Sequence, residues 1–109
     1  MGVSRHVKDV DDDSFDREVL EAQVPVVVKF EAGWCPPCRA LAPIVERVAA
    51  ESAGRVRFVR VDTDESPRLA ERCGIRGVPT MIVFRGGQWV ASHLGMATRD
   101  RLLALIMEQ

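Results

Sequence analysis

Two cysteines separated by two prolines, Cys35-Pro36-Pro37-Cys38, are the residues of this chain best suited to chemistry. They follow a β-branched run and precede an amphipathic one, so they fall where a strand ends and a helix begins. The thiolate, not the thiol, is the nucleophile, and a helix N-terminus favours it through unpaired N–H groups and a partial positive charge. Spaced at i and i+3, the two sulfurs meet within the first helical turn and can close a small ring. Cys35, at the mouth of the helix, is the expected attacking thiol. Cys38, one turn inside, is the expected resolving thiol, which attacks the mixed disulfide. Both prolines have fixed φ and no N–H, and Pro37 fits the first turn at little cost. The pair also removes two donors that could have stabilised a Cys35 thiolate, leaving the N–H groups of Cys38 and Arg39 and the Arg39 charge. Its stiffness lowers the entropy lost on ring closure and so favours the disulfide modestly.

The competing reading of Cys-x-x-Cys is half of a tetrahedral zinc site, which needs four ligands. Cys73, His6 and His93 are the other Cys and His side chains, with no second Cys-x-x-Cys and no paired histidines, so no metal is expected. His6 and His93 read as surface residues. Cys73, beside Gly74 at a helix end, reads as a small packed residue, with a regulatory or dimer-forming thiol as the alternative. Trp34 adjoins the cysteines and is expected to cover them, whereas Trp89 reads as surface or packing. Asp11-Asp12-Asp13 reads as a solvated approach to a helix, and Arg55, Arg57 and Arg60 as a solvated face.

The elements that must position the cysteines emerge from pattern. Val24 to Phe30 is apolar on both pleat faces, as a strand covered on both sides would be. After the cysteines, Leu41, Ile44, Val45, Val48 and Ala49 repeat with helical spacing, Pro43 is expected to kink that helix, and Gly54 suits its end. Arg55 to Val61 reads as a second inner strand, Pro67 to Arg72 as a short helix, and Thr80 to Phe84 and Gln88 to Leu94 as strands. Arg85-Gly86-Gly87-Gln88 joins the last two as a tight hairpin. Ser14 is expected to cap a first helix, and Thr98 a last one carrying Leu102, Leu105 and Ile106. Strand–helix–strand units give parallel pairing and the hairpin antiparallel pairing, so the fold class is α/β, a mixed sheet between two helical layers.

Composition bounds the function. The chain has 109 residues, which suits one domain spanning 1–109. Its formal net charge is −1, with 47% apolar and 28% charged residues, so nucleic acid or an anionic membrane is not expected as the main partner. No apolar stretch, Val24 to Val28 among them, is long enough to span a bilayer. Three cysteines are too few for a disulfide scaffold. The first residues show no apolar signal region, and Gly2 invites a myristoylation reading that His6 opposes by standing where Ser or Thr is wanted. A cytoplasmic, reducing compartment is expected.

Several blocks carry a family resemblance. Phe30-x-Ala32-x-Trp34-Cys35-x-Pro37-Cys38-Arg39, Ala42-Pro43, Val61-Asp62, Gly74-Ile75-Arg76-Gly77-Val78-Pro79-Thr80, Phe84-Arg85-Gly86-Gly87 and Gly95 resemble the thioredoxin family from about Asp13 to the C-terminus. The resemblance implies the thioredoxin fold, a three-layer α/β/α arrangement with strand order β1-β3-β2-β4-β5. It implies a Cys35–Cys38 disulfide that cycles with a dithiol, and a cis Val78-Pro79 bond against the sulfurs, although Val78-Pro79 alone reads as an ordinary trans turn. It implies that an extended substrate segment pairs with the backbone before that proline. The substrate surface would be Trp34, Pro36, Gly77, Val78, Pro79 and Gly95 to Ala97, including Met96.

Three positions depart from the family pattern. Pro36-Pro37 replaces the usual Gly-Pro and is similar to tryparedoxins, nucleoredoxins and membrane-tethered reductases of cytochrome maturation. Lys29 falls at the family's buried carboxylate, where Glu31, on the same strand face, could pair with it and replace the missing acid–base group, or Lys29 could reach solvent and do nothing chemical. Glu31 itself stands where a large aromatic is common, and Arg60 where a lysine is common; two cations there would favour the thiolates.

The resemblance thus implies a monomeric protein-disulfide reductase that binds no cofactor. Its substrates would be proteins with disulfides, and its electrons would come from NADPH through a flavin-dependent thioredoxin reductase. The alternatives are a redox protein of shifted potential and a binding or chaperone-like module on the same fold.

Overall fold

The computed structural model describes residues 5–108, so Gly2 lies outside the described residues. Five strands form one mixed sheet: β1 (Val7–Asp9), β2 (Val26–Glu31), β3 (Arg57–Asp62), β4 (Thr80–Arg85) and β5 (Gln88–Leu94), in the order β1-β3-β2-β4-β5. β3 pairs in parallel with β1 and β2, while β4 runs antiparallel to β2 and β5. The helices are α1 (Pro36–Glu51), α2 (Pro67–Arg72) and α3 (Arg99–Met107). The mixed sheet and its strand order are therefore those expected.

Residue alternation along β2 divides the core. Val27 packs with Leu41, Val45, Val48, Leu102 and Leu105 of α1 and α3. Val26, Val28 and Phe30 pack on the opposite face with Phe15, Val19 and Leu69. A strand covered on both faces is why its apolar residues run without a break. Lys29 shares the pleat face of Val27 and so lies on the α1 side.

Both inner strands begin about two residues later than the sequence pattern predicts. Pro25 lacks an N–H for the ladder, although its carbonyl accepts from Arg57 N–H at 2.9 Å. The N–H groups of Arg55 and Val56 are still bonded to the Ser52 carbonyl in the turn that ends α1. α1 runs as one helix through Pro43, and Gly54 stands beyond its end at φ +85°. In the β4–β5 hairpin Gly86 and Gly87 have φ of +58° and +80°, and a Cβ on Gly87 would lie 2.9 Å from the Leu20 carbonyl oxygen. That position needs glycine both for its dihedral angle and for the close approach. Thr98 caps α3 by accepting from Arg101 N–H at 3.0 Å.

The N-terminal segment corrects one expectation and adds to another. Ser14 caps no helix: the next element is a π-helical turn, Asp16–Leu20, entered through Phe15 with no side-chain cap. The Asp11 carboxylate organises it instead, accepting from the N–H groups of Asp13 and Ser14 and from the Ser14 hydroxyl at 3.0–3.1 Å. These bonds hold the Asp11 carboxyl below the ordinary range. Asp12 is exposed, as expected, but it also makes a contact across the fold. Its Oδ1 accepts Leu69 N–H at 3.1 Å, in the first turn of α2, whose own N-cap residue Ser66 makes no side-chain bond. A side chain distant in sequence thus does the work of an N-cap.

Glu18 gathers Lys8 at 2.8 Å, Arg57 at 3.3 Å and Arg17 at 3.7 Å. The Lys8 hydrogen bond, then the Lys8, Arg57 and Arg17 charges, lower its carboxyl against the opposing effect of burial.

These contacts can be tested by substitution. Asp12→Ala should lower the free energy of unfolding in denaturant by about 1 kcal/mol, with disulfide exchange unchanged. Glu18→Gln should be less stable than the parent at neutral pH. Because the folded carboxyl titrates below its unfolded value of about 4.3, the difference should hold above that value. It should shrink as pH falls through the folded one, as read by denaturation at a series of pH values.

Candidate active site

β2 ends at Glu31, and Ala32-Gly33-Trp34 turns the chain so that Cys35 becomes the N-cap of α1, with prolines filling the first two helical positions. Cys35 N–H donates to the Ala32 carbonyl at 3.2 Å. Cys35 and Cys38 are joined as a disulfide with Cα atoms 5.3 Å apart. Cys38 N–H donates to Cys35 Sγ at 3.1 Å, so a sulfur takes the place an oxygen takes in an ordinary cap. When the disulfide opens, that amide is already aimed at the sulfur where charge would develop. The second expected donor is aimed elsewhere: Arg39 N–H donates to the Cys35 carbonyl, and the Arg39 guanidinium donates to the Gly33 carbonyl at 2.7 Å. The geometry of α1 forbids the alternative, because an N–H four residues along meets the carbonyl of the cap.

The Val78-Pro79 bond is cis, and the Val78 carbonyl oxygen lies 3.7 Å from Cys35 Sγ. Val78 packs with Ala32 against the two sulfur-bearing residues, each only 2% exposed. Trp34 remains 68% exposed and is held by a 3.1 Å bond from its Nε1–H to Asp64. Pro79 is buried, and its carbonyl accepts Gly95 N–H at 2.8 Å, which ties the start of the Gly95–Met96 turn to the proline. Gly95 adopts φ +95° there. His93 Nε2–H donates to the Met96 carbonyl at 2.7 Å, so this histidine shapes the turn beside the site.

Trp34, Pro36, Gly77, Val78, Pro79, Gly95 and Met96 are distributed over the cysteine turn, the proline loop and the end of β5, which the sheet order makes neighbours. Ala97 departs from that group, since it is buried in the α1–α3 core and anchors the start of α3. Two residues were not anticipated. Leu94 is exposed, and its Cδ1 lies 3.4 Å from where a Gly77 Cβ would be; its place beside Gly95 was the available signal. Asp64, which holds Trp34, gave no sequence signal because the contact spans 30 residues.

Below the cysteines, Lys29 does not reach solvent. It is 2% exposed, its Nζ donates to the Cys38 carbonyl at 3.0 Å, and it forms an ion pair with Glu31 at 2.8 Å. Arg60 lies 3.8 Å from the same Glu31 and forms its shorter ion pair, 2.6 Å, with Asp9. The two cations therefore do not crowd the sulfurs unopposed, since a carboxylate lies with each. A cavity of about 520 Å³ opens here, lined by Lys29, Arg39, Arg60, His6 and Glu46 among others.

His6 pairs with Glu46 at 2.9 Å. Among the described residues no three His, Cys, Asp or Glu side chains gather as metal ligands. Cys73 lies in the core on the α2 side with Leu69 and Ile75, where burial pushes its thiol up and the Arg72 charge only partly opposes that.

A cysteine pair that caps a helix, set against a cis-proline loop on a mixed five-stranded sheet, defines a thiol–disulfide oxidoreductase. Comparison with known proteins gives the family. The model of the thioredoxin family matches residues 6–108, beginning about seven residues before Asp13, from where the resemblance runs. Thioredoxin 1 of Nostoc sp. is 44% identical over 93 residues, 85% of this chain and 87% of that protein. Thioredoxin C-2 of Corynebacterium nephridii is 39% identical over 104 residues, 95% and 96% of the two chains. Chloroplastic thioredoxin M4 of Arabidopsis thaliana is 46% identical over 96 residues, and this chain matches half of that longer protein. The chain belongs to the thioredoxin family. Among the described residues no helix is long and apolar enough to cross a membrane.

The Cys73 environment sets an order of reactivity. In the reduced, folded protein at mildly alkaline pH, an alkylating reagent should modify the active-site thiols first. Cys73 should react only after unfolding, as mapped by mass spectrometry; modification of Cys73 at a comparable rate would contradict its burial.

Proposed function

We propose that this chain reduces disulfides in other proteins, with Cys35 as nucleophile and Cys38 as resolving group. The Cys35 thiolate attacks one sulfur of a target disulfide, forming a mixed disulfide and expelling the other sulfur as a thiolate. The Cys38 thiolate then attacks Cys35 Sγ, which closes the internal disulfide and releases the second target thiol. Two electrons pass to the target, and protons from water or nearby acids complete its thiols. The observation that carries this reading is the Cys38 N–H bond to Cys35 Sγ, which favours charge on that sulfur and on no other.

The target segment would lie in extended form along Gly77 to Pro79, against an apolar fringe of Trp34, Pro36, Leu94 and Met96. Pro79 serves as support, holding Val78 beside the sulfur. The chain would work as a single domain and a monomer in a reducing, cytoplasmic compartment, with neither nucleic acid nor membrane as partner. A flavin-dependent thioredoxin reductase drawing on NADPH would return the disulfide to the dithiol.

Reduction of insulin disulfides, driven by NADPH and a thioredoxin reductase, tests the assignment. Cys38→Ser should lose turnover and accumulate a mixed disulfide through Cys35, visible as an adduct by mass spectrometry. Activity that survives Cys38→Ser unchanged would favour the binding-module alternative.

A further inference from the structure

The most unusual group in the molecule is the buried ammonium of Lys29. It sits on the α1 face of the central strand, 2% exposed, bonded at 3.0 Å to the carbonyl of the very residue that bears the inner sulfur. Cys38 is equally buried, so little water intervenes to screen a charge on one from a charge on the other.

We propose that Lys29 is a positioning residue that sets the redox balance of the cysteine pair, its ammonium favouring the dithiol form over the disulfide. The effect is one of differential interaction. The disulfide carries no charge on sulfur, whereas opening it creates sulfurs that can bear negative charge. A fixed cation beneath them therefore stabilises the reduced state selectively, and only a selective interaction moves an equilibrium. This role rests on the thiol–disulfide chemistry proposed for the site and adds to it the group that tunes it.

The surrounding charges show why the field is not cancelled. From β2, Glu31 pairs with the amine at 2.8 Å, but its side chain is 24% exposed against 3% for Lys29, so water screens it more. From β3, Arg60 lies 3.8 Å from Glu31, and from β1 Asp9 holds Arg60. From α1, the Arg39 guanidinium is bonded to the Gly33 carbonyl, and Glu46 is paired with His6 across the cavity. Lys29 is the charge in this set bonded directly to the Cys38 main chain, and Glu31 damps it.

The experiment is equilibration of the full chain with glutathione. Two glutathione thiols give two electrons and two protons to the Cys35–Cys38 disulfide, yielding the dithiol and one glutathione disulfide. The parent, Lys29→Met and Glu31→Gln are compared by acid-quenched thiol trapping, with folding checked by circular dichroism. Lys29→Met should shift the equilibrium about tenfold toward the protein disulfide, equivalent to about 30 mV for a two-electron couple. Glu31→Gln, which leaves the amine in place and removes its damping charge, should shift it several-fold the other way. A mere packing role predicts no such opposition of sign. Equal constants for the three proteins, or shifts in the same direction, would overturn the proposal while leaving the oxidoreductase assignment intact. Should Lys29→Met not fold, Glu31→Gln decides alone, and no shift or a shift toward the disulfide overturns it. A parent that does not exchange with glutathione at all overturns both readings.

Discussion

One hydrogen bond organises this site: the amide of Cys38 donates to the sulfur of Cys35. It closes the first turn of α1 and at the same time addresses the atom that reacts. The two prolines between the cysteines are compatible with it because the first helical positions have no intrahelical use for their N–H groups. They also make it decisive, since Pro36 and Pro37 offer no donor and the Arg39 amide is committed to a carbonyl. The structural cap and the reactive group are the same sulfur, so whatever preserves the helix start also preserves the electrostatics of the site.

The sheet supplies the remaining geometry. β2 lies between β3 and β4, so the chain leaving β2 at Glu31 and the chain entering β4 at Thr80 meet at one end of the sheet. That places the cysteine turn against Val78-Pro79, though more than forty residues separate them. β5 returns beside β4 and delivers Leu94 and Gly95 to the same end. The same central position explains the charge below the site. A residue on the α1 face of β2 lies beneath the helix start at the floor of the cavity, and there Lys29 turns to the Cys38 carbonyl and to Glu31.

Much of this could be read from residue order. Apolar runs at Val26–Phe30 and Thr80–Phe84, the glycine pair at the hairpin, Thr98 before α3 and the cysteine spacing all act locally, and each appears where the pattern predicts within about two residues. The pairing of Lys29 with Glu31 was legible as one of two options because strand periodicity puts both on one face; burial at the centre of the sheet decides between them. What could not be read depends on contacts across the fold. Asp12 looks like one of three solvated carboxylates, and only folding brings it to the amide of Leu69. Asp64 finds Trp34 in the same way, and Ala97 looks like part of an exposed turn until α3 docks. Ser14 misled because its hydroxyl is committed backward to Asp11.

The main chain around the cis proline is already largely engaged. Thr80 donates its hydroxyl to the Gly77 carbonyl, Gly95 bonds the Pro79 carbonyl, and Pro79 has no N–H to offer. A strand lying along Gly77 to Pro79 would therefore find the main chain of Val78 as its principal foothold. So brief a main-chain grip would read little of a visitor's sequence and would hold it weakly, as suits the transient exchange proposed above.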